Sequence, residues 1–408
     1  MKKLLILVLS IMFVAGAFTS VVYADHGDAM MAKMPGSSIM MGGDARVRGV
    51  CKINFDTNDD ADDDNCYWDQ RIRFTVTGAI GNAEVRTRFT TENPTDRVNS
   101  HSTVWDGATE TGGSLNVDYA YLHIPIGSID IDAGRMMLDF GNKFYVDGVA
   151  ADKFQVSTKV GDITIGAWTE KEFESNGPDG FFNNDADFYA IFGTYKAGDI
   201  AAGALVRYLN DDVADDNNGT DATVYVNTKA AGVGVKGELS LKTGDAAYTA
   251  NGSFDGCGGT GDEDTQWGGF VSADMGMDAI TVGGLFAFTQ NGFVADKHFT
   301  PTALIGRDNS GAMENFGARG DSLLGVLSAS FQAAPELSLG AKVAYADYES
   351  YPDNDTDSSS WEIDAGLKYM ISKGVTYSID LGYLIPDDYS ASDDNVFGVQ
   401  SKIFVDFN

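Results

Sequence analysis

Six arginines recur at alternate positions along three short stretches of this 408-residue chain: Arg46 and Arg48, Arg71 and Arg73, Arg86 and Arg88. A guanidinium stays charged at any physiological pH and offers five N–H donors in a rigid fork. Gathered on one surface, such groups attract, repel or orient ions and dipoles. The chain also carries acids at alternate positions, Asp130 and Asp132, followed by Asp139, Asp147 and Asp152. Basic and acidic groups facing each other across a narrow aqueous space set up a transverse field, and focused potentials of that kind reach several kT. No catalytic constellation accompanies them. The four histidines, His26, His101, His123 and His298, are scattered. The expectation is a non-enzyme with no cofactor and no bound metal.

The overall balance excludes one class of partner. Sixty Asp and Glu against 28 Lys and Arg give a formal net charge of −32. Phosphate binding needs a basic surface, so nucleic acid is not expected as a partner. Acids cluster in runs: Asp59-Asp60-Ala61-Asp62-Asp63-Asp64, Asp211-Asp212 with Asp215-Asp216, and Asp353 with Asp355 and Asp357. Dense carboxylates suit hard cations such as Ca²⁺. None of these runs has the spacing of an EF-hand, and the simpler reading is a solvated surface that enriches counterions. His26, Met30, Met31, Met34, Met40 and Met41 offer soft thioethers, which favour Cu(I). Their irregular spacing reads more simply as a flexible lead-in.

The elements that position these residues show in the hydrophobic pattern. Lys2 and Lys3, the apolar run Leu4 to Phe18, and Val22-Tyr23-Ala24 form a signal peptide over residues 1–24. Residues 25–43 are the Met-rich lead-in. From 44 to 408 apolar residues alternate with polar ones, the strand signal. Val375, Tyr377, Ile379, Leu381 and Tyr383 alternate with Thr376, Ser378, Asp380 and Gly382. Trp361, Ile363, Ala365 and Leu367 alternate with Glu362, Asp364, Gly366 and Lys368, and Val235, Leu239 and Leu241 with Lys236, Glu238, Ser240 and Lys242. Tight turns near Gly81-Asn82, Gly127-Ser128, Gly161-Asp162, Ala197-Gly198, Ala231-Gly232, Met277-Asp278, Pro335 and Lys373-Gly374 alternate with long Asp/Asn/Gly-rich segments such as 93–114, 246–264, 291–320 and 385–394. Short turns on one side and long loops on the other mark a transmembrane barrel. Trp68, Trp361, Tyr377 and Tyr383 sit at strand ends, as an interfacial girdle requires. The prediction is all-β: an antiparallel up-and-down barrel of about 16–18 strands in the outer membrane of a diderm bacterium, in contact with outer-membrane lipid. A barrel of that size leaves an aqueous lumen.

Parity assigns faces. Ile72, Phe74 and Val76 face lipid, so Arg71 and Arg73 face the lumen; Arg46, Arg48, Arg86 and Arg88 follow by the same rule. A lipid-facing arginine at mid-membrane would cost about 2–4 kcal/mol. His123 is expected on the apolar face. Cys51 and Cys66 both point outward at the top of the first hairpin; a bridge between them would close a loop of about fifteen residues. Pairing with Cys257 or a free thiol are the alternatives. Phe397, Val399, Ile403, Val405 and Phe407 give the last strand its lipid face, which pairs back to the first.

The stretch Val117-Asp118-Tyr119-Ala120-Tyr121-Leu122-His123-Ile124-Pro125-Ile126-Gly127-Ser128-Ile129-Asp130-Ile131-Asp132-Ala133-Gly134-Arg135 resembles the strand–turn–strand of general bacterial porins, and Leu138-Asp139-Phe140-Gly141-Asn142 resembles the start of their constricting third loop. The resemblance implies a trimeric, water-filled channel for passive diffusion of small hydrophilic solutes and ions. It puts Asp139 and Asp147 on the acidic side of a constriction, with Arg46, Arg71, Arg73, Arg86 and Arg88 opposite. The loop is short and carries Lys143, so segment 291–320 is a second candidate for the constriction. With its acidic loops the channel is expected to prefer cations mildly. The rival readings are a surface-interaction barrel with a plugged lumen and a substrate-specific channel.

Overall fold

A computed structural model describes residues 37–54, 65–91, 103–104, 115–174, 185–211, 218–244, 265–296, 298–305, 315–318, 320–350, 358–387 and 395–407. The expected signal peptide, most of the lead-in, His26, His101, Cys257, Asn408 and the acid runs other than Asp211 lie outside the described residues. The strands are β1 (Ser37–Ile53), β2 (Asn65–Ile80), β3 (Ala83–Thr90), β4 (Thr103–Val104), β5 (Asn116–Ile126), β6 (Ile129–Phe140), β7 (Val146–Val160), β8 (Ile163–Glu174), β9 (Asp185–Ala197) and β10 (Ile200–Asp211). They continue as β11 (Gly219–Ala230), β12 (Val233–Gly244), β13 (Thr265–Met277), β14 (Ile280–Gln290), β15 (Gly320–Ala334), β16 (Leu337–Ser350), β17 (Ser358–Ser372), β18 (Val375–Asp387) and β19 (Val396–Asp406). Each strand pairs antiparallel with its neighbours, and β1 pairs with β19 from Asp44↔Asp406 to Ile53↔Phe397, which closes the sheet. The two-residue β4 pairs only with Asp69 and Gln70 of β2, above the short β3. It continues the β3 stave, so the barrel has eighteen staves.

Closure is what allows this sequence to sit in lipid. No described helix is long and apolar enough to cross a membrane. A closed sheet satisfies every backbone donor and acceptor without water and leaves no edge. The outward residues are apolar: Ile72, Val85, Ile124, Ile165, Val271 and Ile363 are all exposed, and they would be unfavourable in water. Aromatic residues flank the belt. Trp68, Tyr189, Trp267 and Trp361 lie toward the long-loop end, and Tyr195, Phe331, Tyr369 and Phe407 toward the turns.

Eight connections are two residues long, at the eight expected places. Tight hairpins need positive φ to match the strand twist, and Gly81 (φ 58°) and Gly127 (φ 65°) adopt it. One boundary differs from the sequence reading. β1 begins at Ser37 rather than Asp44, because β2 is long enough to pair with it down to Ser37↔Ile80. β7 begins at Val146, pairing Phe140↔Val146 with the end of β6.

Cys51 and Cys66 are opposite each other on β1 and β2 and form a disulfide, with Cα atoms 4.0 Å apart. The loop it closes spans 15 residues. In the chain-entropy model a loop of that size is worth about 3 kcal/mol. Changing both cysteines to serine is expected to lower the urea midpoint of the folded barrel without altering its conductance. An unchanged midpoint would show that β1–β2 pairing alone holds the hairpin.

Candidate functional site

The arginine patch forms as parity dictates. Cross-strand neighbours share a face about 5 Å apart, so Arg46 stands beside Arg71 in register, and Arg48 beside Asp69 and Lys402. Arg48 Nε donates to Asp69 Oδ2 at 2.9 Å, and Asp69 is fully buried. Arg73 Nε donates to Asp44 Oδ2 at 2.8 Å and Arg71 Nη2 to Asp44 Oδ1 at 3.2 Å. Arg86 Nε donates to Glu84 Oε2 at 2.7 Å and Nη1 to the Tyr121 hydroxyl at 3.2 Å. Arg88 bonds Asp118, and its guanidinium lies 4.8 Å above the Tyr119 ring. Four carboxylates thus tie five arginines.

Asp130 and Asp132 are not opposite this patch. β6 lies next to β5, which pairs with β3, so Asp130 and Asp132 sit on the adjoining part of the same wall. Asp132 bonds His123 Nδ1 at 2.8 Å. His123 therefore faces the lumen, not lipid as expected; Leu122 and Ile124 on either side of it are the outward residues. Asp130 lies one turn lower, opposite Pro125 and Ser157. Asp139, at the upper end of β6, is an electrostatic neighbour of Lys153, together with Glu170 and Asp132. Asp147 is 3% exposed and accepts from Lys143 Nζ at 2.9 and 3.0 Å.

Two segments turn inward and pack on each other. The first, residues 141–145, is the expected third loop. Gly141 (φ 81°) starts it, at a point where a Cβ would come within 2.6 Å of the Glu238 carboxylate. Glu238 on β12 accepts the backbone N–H of Asn142, and that of Tyr145 at 3.2 Å. The second segment follows β14. Phe293 stacks on Phe144 with centroids 5.8 Å apart, and Phe299 meets Phe144 edge-on at 4.8 Å. Asp296 N donates to Phe144 O at 2.8 Å, and Ala295 N to Phe316 O at 2.8 Å.

The far limb of the second segment docks on another part of the wall. Glu362 on β17 accepts the N–H groups of Leu304 (2.6 Å) and Ile305 (2.8 Å), and Asp364 accepts that of Ala303 (3.0 Å). Lys342 on β16 donates to Pro301 O. Gly398 on β19 makes room for Leu304: a Cβ there would come within 2.6 Å of its Cδ2. Beneath this limb is a cavity of about 690 Å³, lined by residues including Thr300, Ser328, Ser338, Lys342, Ser378 and Lys402. The apolar core of this barrel is thus inside the lumen. Glu238, Glu362 and Asp364 are visible in the sequence as inward-facing residues. Their role is not, since a carboxylate can accept from a backbone N–H of any residue.

A lumen lined by arginines and narrowed by two inward loops can filter solutes. The family model described as Gram-negative porin matches residues 10–388. The chain belongs to the Gram-negative porins. No curated protein matches the sequence of this porin. Among solved structures it is similar to OprD from Pseudomonas aeruginosa, at 12% identity, covering 90% of this chain and 93% of that one, with a TM-score of 0.56. It is also similar to OpdQ from the same organism, at 9% identity, 90% and 97% coverage and TM-score 0.56. Acinetobacter baumannii OccAB1 gives 11% identity, 90% and 96% coverage and TM-score 0.56. At these identities the likeness concerns the fold. Membership of the family puts this porin in the outer membrane.

Proposed function

We propose that this porin is a narrow-bore channel for passive diffusion of small hydrophilic solutes and ions, with the open path between the arginine wall and the two inward loops. The observation that carries the reading is a lumen entered by two inward loops whose β1–β3 wall carries partly exposed, locally tied guanidinium groups. The inner wall acts on solutes by charge and size. The net charge of −32 supports a mild cation preference, because acidic loops at the mouth concentrate cations.

Single-channel recording in a planar bilayer tests it. Replacing Arg71 and Arg73 with serine removes two positive charges and releases Asp44 from both. Each charge changes the local potential by on the order of 1 kT, so the cation-over-anion permeability ratio should rise by roughly threefold or more. An unchanged ratio would make these arginines wall structure. No conductance at all would sink the channel reading in favour of the surface-interaction one.

A substrate-specific channel is the second reading. It is favoured by the backbone anchoring of 301–305, which holds a fixed cross-section suited to recognising one solute shape. Saturable flux would separate it from free diffusion. The trimer belongs to the same proposal. Arg135 and Asp152 pair on the outward face at 3.3 Å, beside the exposed Phe154. Charge on that face is costly against lipid, and a neighbouring subunit would cover it. Native mass spectrometry reads the copy number.

A further inference from the structure

We propose that Asp147, Asp296 and His298 form a site for one divalent first-row transition-metal ion, which would tie the two inward loops together. Asp147 follows the first loop, at the start of β7; Asp296 and His298 belong to the second. Their ligand atoms all lie within 4.8 Å of one another. His298 Nδ1 points at both carboxylates, 2.9 Å from Asp296 Oδ1 and 3.5 Å from Asp147 Oδ2. Zinc bonds of about 2.0–2.1 Å in a tetrahedron hold neighbouring ligand atoms roughly 3.3 Å apart. The two His298 distances need shifts of only a few tenths of an ångström to meet this, and the two carboxylates lie within 4.8 Å of each other.

The surroundings favour that occupant. Both carboxylates are buried beside the Phe144–Phe293 stack, and the Asp296 N to Phe144 O bond ties the second loop to the first. Adjacent buried carboxylates need positive charge close by. Lys143 supplies some to Asp147, but its ammonium is 69% exposed and its stem is long enough to swing into water when an ion arrives. His298 is 44% exposed, so an ion can enter from the lumen side. The donor set chooses the metal. Ca²⁺ takes six to eight oxygen ligands and Cu(I) prefers sulfur. One imidazole with two carboxylates suits zinc and its neighbours, with water completing the shell.

The experiment uses full-length protein in detergent, stripped with a chelator and titrated with zinc by calorimetry. Its readout is binding, so it stands apart from whatever the pore conducts. One zinc per chain is expected above any weak binding to the acidic loops. Losing one of three protein ligands, His298→Ala should weaken that site at least about tenfold. Lys143→Met, which removes the competing ammonium, should tighten it. X-ray absorption on the zinc-loaded wild type should show a nitrogen/oxygen shell with one imidazole. Absence of a discrete zinc site, a site indifferent to His298→Ala, or a shell without imidazole would each overturn the proposal. The absorption measurement does not depend on any variant folding.

Discussion

Replacing Glu362 with alanine is expected to turn a steady conductance into a fluctuating one with a larger mean. Glu362 is 1% exposed and holds the N–H groups of Leu304 and Ile305. Hydrogen bonds to a charged group contribute about 1.5–3 kcal/mol each. Losing two therefore removes roughly 3–6 kcal/mol of docking and leaves two donors without an acceptor. The limb retains Asp364, Lys342 and the Leu304 contact with Gly398, so it should detach part of the time rather than unfold. Bilayer recordings should show new open levels, and limited proteolysis should cut within 301–305 where the wild type resists. Glu362→Gln, which keeps one acceptor, should fall between. Quiet recordings from the alanine variant would mean that the limb does not control the bore.

The largest stability effect is expected at Arg207. Arg207 and Asp221, on β10 and β11, are 1% and 0% exposed, and Arg207 Nε donates to both carboxylate oxygens at 3.0 and 3.1 Å. Its guanidinium also lies 4.6 Å from the Phe188 ring and 5.8 Å from that of Tyr145, which belongs to the first inward loop. Removing one partner of a buried pair costs about 3–5 kcal/mol, because the other charge is left uncompensated. Arg207→Ala should lower unfolding stability in urea by that amount. Arg207→Met combined with Asp221→Asn should recover much of it, since no buried charge remains. The more exposed Lys171–Asp187 pair, with side chains 45% and 18% exposed, is the comparison. Lys171→Ala should change stability by about 0–1 kcal/mol. Equal losses at the two sites would contradict the role of burial.

The barrel was legible because its two determinants are local. Alternation is imposed by the pleat, and it sets Arg71, Arg73, Arg86 and Arg88 on the face away from exposed apolar neighbours such as Ile72 and Val85. The hairpins were legible because Gly81, Gly127 and their counterparts mark where positive φ is needed. His123 was assigned to the wrong face because Tyr119, Tyr121 and His123 line the same side of β5, and aromatic rings there blur the contrast with Leu122 and Ile124. Placing Asp130 and Asp132 opposite the arginines failed for a different reason. A strand's in–out parity says nothing about which stave lies across the lumen; that follows from the closed order of the sheet. The inward loops were legible only as candidates. Phe144, Phe293, Phe299 and Phe316 are large apolar residues in polar segments, and that was the available signal. What docks them is wall carboxylates on loop backbone, and this leaves no complementary pair to read.

That backbone anchoring bears on how such a channel changes over generations. Glu238, Glu362 and Asp364 grip the loops chiefly through peptide N–H groups. Substitutions at Asn142 or Ala303, which are only partly buried, can alter what a passing solute meets while the N–H groups that hold the loop stay in place. Proline is the exception, because it has no N–H to offer. The wall is conservative where it grips and the loop is permissive where it is gripped. New selectivity is therefore reachable by single substitutions that leave the barrel and its bore geometry intact.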